Sequence, residues 1–260
     1  MPTDSATAIY YTVQGQGPCV ILGFPYLASY EEVMPAEMPD VSASLAEALA
    51  SDFQVLCLDY PSIGRSRDIP GHHLTADRVA EDLLSVADHA GFARFSYFGY
   101  SWGAAAGLQL AARTDRIEAL IIGGWPPLGA QYNLCLQAAR EQLHNPPPEV
   151  RVVLRSPEQY AQWVNFYESL TDFDERALLK RLSTAGTACL AFVGAEGDVG
   201  AGDHLLSNAT ILRREESALH ELGWQIDFIE RAGHEVGLDA DAVLRVIQPF
   251  LESTLCQKNV

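Results

Sequence analysis

Short apolar runs alternate along this chain with longer stretches in which apolar residues recur at three- and four-residue spacing. Residues 19–22 and 189–193 are continuous apolar runs, residues 53–58 and 117–122 are apolar apart from Gln54 and Glu118, and residues 95–98 form an aromatic run. Runs of this length predict strands covered on both faces. Residues 8–13 and 225–229 are rich in β-branched and aromatic side chains and predict two more. Between them lie helical patterns. One runs over 41–50, with Asp40 or Ser42 as its cap. Another starts after Thr75 and reaches about Ala90, its apolar face made by Val79, Leu83, Val86, Ala87 and Ala90. Further helices are predicted from Ser101 to about Arg113, near 175–183, near 208–222 and over 239–254. In the last, Val243, Ile247, Phe250 and Leu251 share one face.

This alternation predicts an α/β fold, a mostly parallel central sheet covered by helices on both faces, with right-handed crossovers. The rhythm breaks between residues 128 and 174. That stretch has helical pieces, the run Pro146-Pro147-Pro148 and no strand, and it reads as a helical cap inserted over the strand ends. The predicted core is therefore 1–127 together with 175–260.

Composition narrows the function. A chain of 260 residues with 48% hydrophobic content can bury a substantial core. Its net charge of −17 argues against a nucleic-acid partner or an anionic membrane surface. No apolar run is long enough to span a membrane, and Met1-Pro2-Thr3-Asp4-Ser5 lacks the features of a secretory signal, so the expected location is cytoplasmic. The five cysteines are an odd number, with Cys57 and Cys189 in strand-like runs, which suggests packed, reduced thiols. Asn208-Ala209-Thr210 matches a glycosylation acceptor, here taken as incidental. His72-His73 lacks partners at metal-ligand spacing, and Gly194-Ala195-Glu196-Gly197 lacks the lysine of a phosphate loop, so no metal and no cofactor are expected.

The chemistry centres on Gly99-Tyr100-Ser101-Trp102-Gly103, between a strand and a helix. A Gly-x-Ser-x-Gly turn at such a junction lifts a serine hydroxyl clear of the sheet. Glycine is needed two residues to either side, where a side chain would meet backbone. A serine hydroxyl needs a base and the base an orienting acid. Of the seven histidines, only His234 directly follows a strand, after Gly233, and it is the expected general base. The acid is expected at another strand end, where Asp198 is the leading candidate and Glu196 and Asp203 are rivals in the same loop.

With these residues in order, the chain resembles the α/β-hydrolase-fold superfamily, in its serine-nucleophile branch, over nearly its whole length. Leu22-Gly23-Phe24-Pro25 stands where the family has its oxyanion loop, and Asp59-Tyr60-Pro61-Ser62-Ile63-Gly64-Arg65-Ser66 resembles its Asp-x-Pro-Gly-x-Gly-x-Ser loop. The resemblance implies that Ser101 is acylated and that the Phe24 and Trp102 amides form the oxyanion hole. Two positions depart from the pattern. Leu22 replaces a histidine that is usually structural, which implies altered loop support, and Ser62 replaces a glycine. A serine rather than an aspartate nucleophile argues against dehalogenase or epoxide-hydrolase chemistry. Trp125, Trp163, Phe166 and Tyr167 are candidates for an apolar pocket under the cap, or equally for the cap's own core. The expectation is a cofactor-independent hydrolase of a carboxylic ester, thioester or lactone, acting on a small apolar or acyl substrate. The alternatives are a slow-turnover small-molecule receptor and a biosynthetic acyl-transfer or cyclising enzyme.

Overall fold

The computed structural model describes residues 8–256. In chain order its strands are β1 (Tyr11–Gln14), β2 (Cys19–Leu22), β3 (Gln54–Leu58), β4 (Phe95–Tyr100), β5 (Ile117–Gly123), β6 (Ala188–Gly194), β7 (Val199–Ala201), β8 (His204–Leu206) and β9 (Trp224–Ile229). Seven of them form one sheet in the order β1-β3-β2-β4-β5-β6-β9. Only β1 runs antiparallel to its neighbour. All six residues of β4 are buried, as a strand covered on both faces requires.

The helices are α1 (Tyr30–Val33), α2 (Val41–Leu49), α3 (Ala76–His89), α4 (Trp102–Arg113), α5 (Tyr132–Gln142), α6 (Pro148–Arg151), α7 (Ala161–Glu168), α8 (Glu175–Ala185), α9 (Asn208–Glu221) and α10 (Ala240–Leu251). Four start on side-chain caps that satisfy an orphan N–H of the first turn: Asp40 for α2, Thr75 for α3, Asp174 for α8 and Asp239 for α10. Ser207, in the cap position of α9, makes no such bond.

The sheet fixes where a site can form. From β2 the chain moves outward to β3, then returns past β2 to β4. Connections therefore diverge on either side of the β2–β4 pair, and a crevice opens beyond the carboxyl ends of these strands. Phe24 follows β2 and Ser101 follows β4.

Two expectations change. The first strand begins at Tyr11 rather than Ala8, because Ala8 has a φ of 58°, outside the extended region. The β7–β8 hairpin was not expected, because its three-residue strands are too short for a periodicity to register. Between β5 and β6 the helices α5 to α8 follow one another without a strand. There α5 packs on α7, and α7 packs on the turn Gly71–His73. Among the described residues, no helix is long and apolar enough to cross a membrane.

Candidate active site

Ser101 lies between β4 and α4 with φ 54° and ψ −119°, a conformation that non-glycine residues rarely adopt. Its amide donates to Gly123 O at 2.8 Å, and its carbonyl accepts from the amides of Ala104 and Ala105. The flanking glycines are sterically required. A Cβ on Gly99 would stand 2.3 Å from Gly103 O, and one on Gly103 would stand 2.0 Å from Phe24 O. This is the close backbone approach that the Gly-x-Ser-x-Gly spacing implies.

His234 follows β9 after a turn in which Arg231 takes a φ of 58°. Tyr100 Oη donates to the His234 carbonyl at 2.8 Å, and the two rings lie 5.4 Å apart, so the residue next to the serine also holds the histidine backbone. His234 Nε2 is 2.9 Å from Ser101 Oγ. Burial pushes the imidazole down to about 4, opposed by the negative charge of Glu235. The ring is therefore neutral at pH 7. With Nε2 accepting from the serine hydroxyl, the ring proton resides on Nδ1. That Nδ1 is buried and has no hydrogen-bond partner among the described residues.

The expected acid is elsewhere. Asp198 Oδ1 accepts from the Thr210 amide at 3.0 Å, and its Oδ2 accepts from Thr210 Oγ1 at 2.6 Å. The Asp198 expectation is corrected in this respect: the side chain is bonded to the first turn of α9, not to His234. Its rivals do not take its place, since Glu196 and Asp203 are exposed and neither is hydrogen-bonded to the imidazole. Asp198 does follow β6, but the turn after that strand, in which Gly197 donates to Gly194 O and Glu196 N donates to Ala232 O, leaves its carboxylate on Thr210.

Beside the serine, Phe24 packs on the start of α4. Its carbonyl accepts from the Tyr100 amide at 3.0 Å, and its ring meets that of Trp102 edge-on at 5.7 Å. Trp102 is the first residue of α4, so its amide has no intrahelical acceptor. The Phe24 amide donates to Tyr60 Oη at 3.4 Å. Behind it, Tyr60 Oη lies 3.2 Å from Tyr97 Oη, which donates to Gly103 O at 2.8 Å. A Cβ on Gly23 would stand 2.0 Å from Tyr97 Oη. Two buried tyrosines thus support the loop in which Leu22 replaces the family's histidine. Ser62 adopts the left-handed φ of 66°, where the family has glycine, and its Oγ accepts from the Ile69 amide at 2.9 Å.

A cavity of about 360 Å³ opens over Ser101 and His234. Cys135, Ala138, Ala139 and Gln142 line it from one face of α5, at the i, i+3, i+4, i+7 spacing of a helical stripe. Of the four aromatic candidates, Trp163 and Tyr167 line the cavity. Trp125 packs on Tyr132 at 5.6 Å and Phe166 on Trp102 at 4.9 Å, and neither is part of the lining. Tyr160, which sequence reasoning missed, lines it and donates to Gln142 Oε1 at 2.8 Å. The α5 spacing was visible in the sequence, but a stripe facing a cavity and a stripe facing a core share one pattern. Glu235 is the sole carboxylate among the described lining residues, and burial pushes the Cys135 thiol up to about 12.

Residues 35–147 match the family profile of the α/β hydrolase fold. Over 99 residues the chain is 33% identical to the RutD protein of Enterobacter cloacae, to which carbamate hydrolysis is provisionally ascribed. That match covers 37% of this chain and 37% of that protein, so the chain aligns with just over a third of the relative's length. Among solved structures, a thermophilic esterase from Thermogutta terrifontis superposes with a TM-score of 0.68 at 18% identity, covering 95% of this chain and 94% of that one. An enol-lactonase from Burkholderia xenovorans superposes with a TM-score of 0.63 at 20% identity, covering 95% and 97%. At these identities the likeness is one of fold.

Proposed function

The chain is an α/β-hydrolase-fold protein, and on that premise we propose that it is a cofactor-independent serine hydrolase of a small carboxylic ester, thioester or lactone. The observation that carries this reading is the 2.9 Å contact between His234 Nε2 and Ser101 Oγ, at a strained turn opening into an apolar cavity. Residues 128–174 act as the cap of that cavity.

In this mechanism Ser101 Oγ attacks the substrate carbonyl carbon while its proton passes to His234 Nε2. The resulting oxyanion accepts from the Trp102 amide and from the Phe24 amide, which turns to it from Tyr60 Oη. The bond from carbon to the leaving group then breaks, and the leaving group takes the proton from Nε2. A water molecule attacks the acyl-Ser101 ester, gives its proton to Nε2 and releases the acid as that proton returns to Ser101 Oγ. His234 suits the task because it is neutral at pH 7 and can accept the proton.

The unpartnered Nδ1 favours a second reading, a small-molecule receptor that turns over slowly. An imidazolium formed there has no hydrogen-bonded carboxylate to stabilise it, which slows each proton transfer. One experiment tests both: a fluorophosphonate probe with mass spectrometry, followed by a burst assay on 4-nitrophenyl hexanoate. An adduct on Ser101, absent in Ser101→Ala, with sustained turnover supports the hydrolase. A single burst without turnover supports the receptor. A folded protein with no adduct and no burst refutes an activated Ser101.

A further inference from the structure

Asp198 immediately precedes the β7–β8 hairpin, and Thr210 lies just beyond it in α9. The hairpin supplies a wall of the cavity through Val199, Gly200, Ala201 and Leu206. The two hydrogen bonds between Asp198 and Thr210 close its base. Thr210 is the third residue of α9, whose amide a cap residue ordinarily satisfies, and Ser207 in the cap position makes no side-chain cap bond. Asp198 therefore does the capping from the far side of the hairpin, with its charge at the helix N-terminus, where the dipole favours it. At the other end of the hairpin, His204 Nε2 meets Glu141 Oε2 on α5 at 2.8 Å, so the wall is pinned at both its base and its tip.

We propose that Asp198 is a positioning residue that clamps this wall of the substrate cavity through Thr210, and that Ser101 and His234 work as a pair with no carboxylate on Nδ1. Two independent observations meet here: an aspartate with both carboxylate oxygens engaged elsewhere, and a buried Nδ1 with no acceptor among the described residues. The pairing of Ser101 with His234 rests on the hydrolase reading above, whereas the clamp does not.

The test compares Asp198→Asn, Asp198→Ala and Thr210→Val in steady-state hydrolysis of 4-nitrophenyl hexanoate. Asparagine caps helices about as well as aspartate, so Asp198→Asn is expected to keep kcat within about threefold of wild type. Asp198→Ala and Thr210→Val are each expected to raise KM about three- to tenfold with kcat little changed, and the double variant to be no worse than either single one, as for a coupled pair. The proposal is overturned if Asp198→Asn lowers kcat by about 10⁴-fold, the loss that follows when the orienting carboxylate of a known triad is made an amide. NMR titration of His234 gives a second readout: Asp198→Asn should leave its midpoint unmoved, and a downward shift refutes the pair. If wild type shows no turnover and no Ser101 adduct, the hydrolase reading fails. The clamp is then judged by thermal unfolding, where Asp198→Ala and Thr210→Val must lower Tm non-additively; additive or null effects refute it.

Discussion

Ser101 Oγ and His234 Nε2 stand 2.9 Å apart, and what holds the histidine there is backbone: Tyr100, the neighbour of the serine, donates its hydroxyl to the His234 carbonyl. The serine hydroxyl and the imidazole are thus fixed through adjacent residues of one turn. The aromatic residue inside the Gly-x-Ser-x-Gly turn is a structural member of the site.

The pH dependence follows from burial of that imidazole, whose pKa is pushed down to about 4 from an ordinary 6.5. Between these values the unfolded chain binds a proton that the folded chain does not, so stability falls as pH drops from 6.5 to about 4. Thermal unfolding across this window should show that His234→Gln flattens the slope. The acid limb of kcat/KM should lie near pH 4 to 5 rather than 6.5. A limb at 6.5 would mean that the free histidine is solvated.

Glu175 behaves in the opposite sense. Burial raises its carboxyl to about 7, against the lowering effect of the Gly129 and Ala130 amides that donate to it. The folded state binds the extra proton above the unfolded value of 4.5, so this contribution is present at low pH and is lost as pH rises through 7. Glu175→Gln should therefore gain stability relative to wild type between pH 5 and pH 8, read as a widening Tm difference.

The tyrosines under Phe24 support the loop that carries the proposed oxyanion donor. Tyr97→Phe leaves Gly103 O and Tyr60 Oη without their buried partner, and should cost about 1–3 kcal/mol in urea unfolding. Because Tyr60 in turn accepts from the Phe24 amide, kcat should fall more than KM changes. A Tyr97→Phe variant with unaltered kcat would separate the tyrosine pair from the loop.

Ala139 is one of two adjacent small residues in the α5 stripe that lines the cavity. Ala139→Trp should shorten the acyl chain accepted, lowering kcat/KM for hexanoyl relative to acetyl esters by about tenfold or more. A uniform loss at every chain length would instead indicate a displaced helix.

The sequence by itself determined the element order, the parallel sheet, the elbow serine and the histidine that follows the last strand. Each of these is written in short-range patterns. Apolar runs make buried strands, caps such as Thr75 and Asp239 start helices, and glycines at 99 and 103 permit a close approach that no other residue allows. The sequence also placed Asp198 just after β6. Tertiary structure alone decided where that carboxylate points, because the direction is set by the turn over residues 194–198 and by the start of α9, where Ser207 makes no cap bond and Thr210 bonds the carboxylate instead. The same limit applies to the cavity. Trp125 and Trp163 are equally apolar and both buried, yet Trp163 lines the cavity whereas Trp125 packs on Tyr132. Local pattern fixes which face of an element is apolar. Whether that face meets a neighbour or a void depends on the distance between elements, a quantity that no spacing along the chain contains.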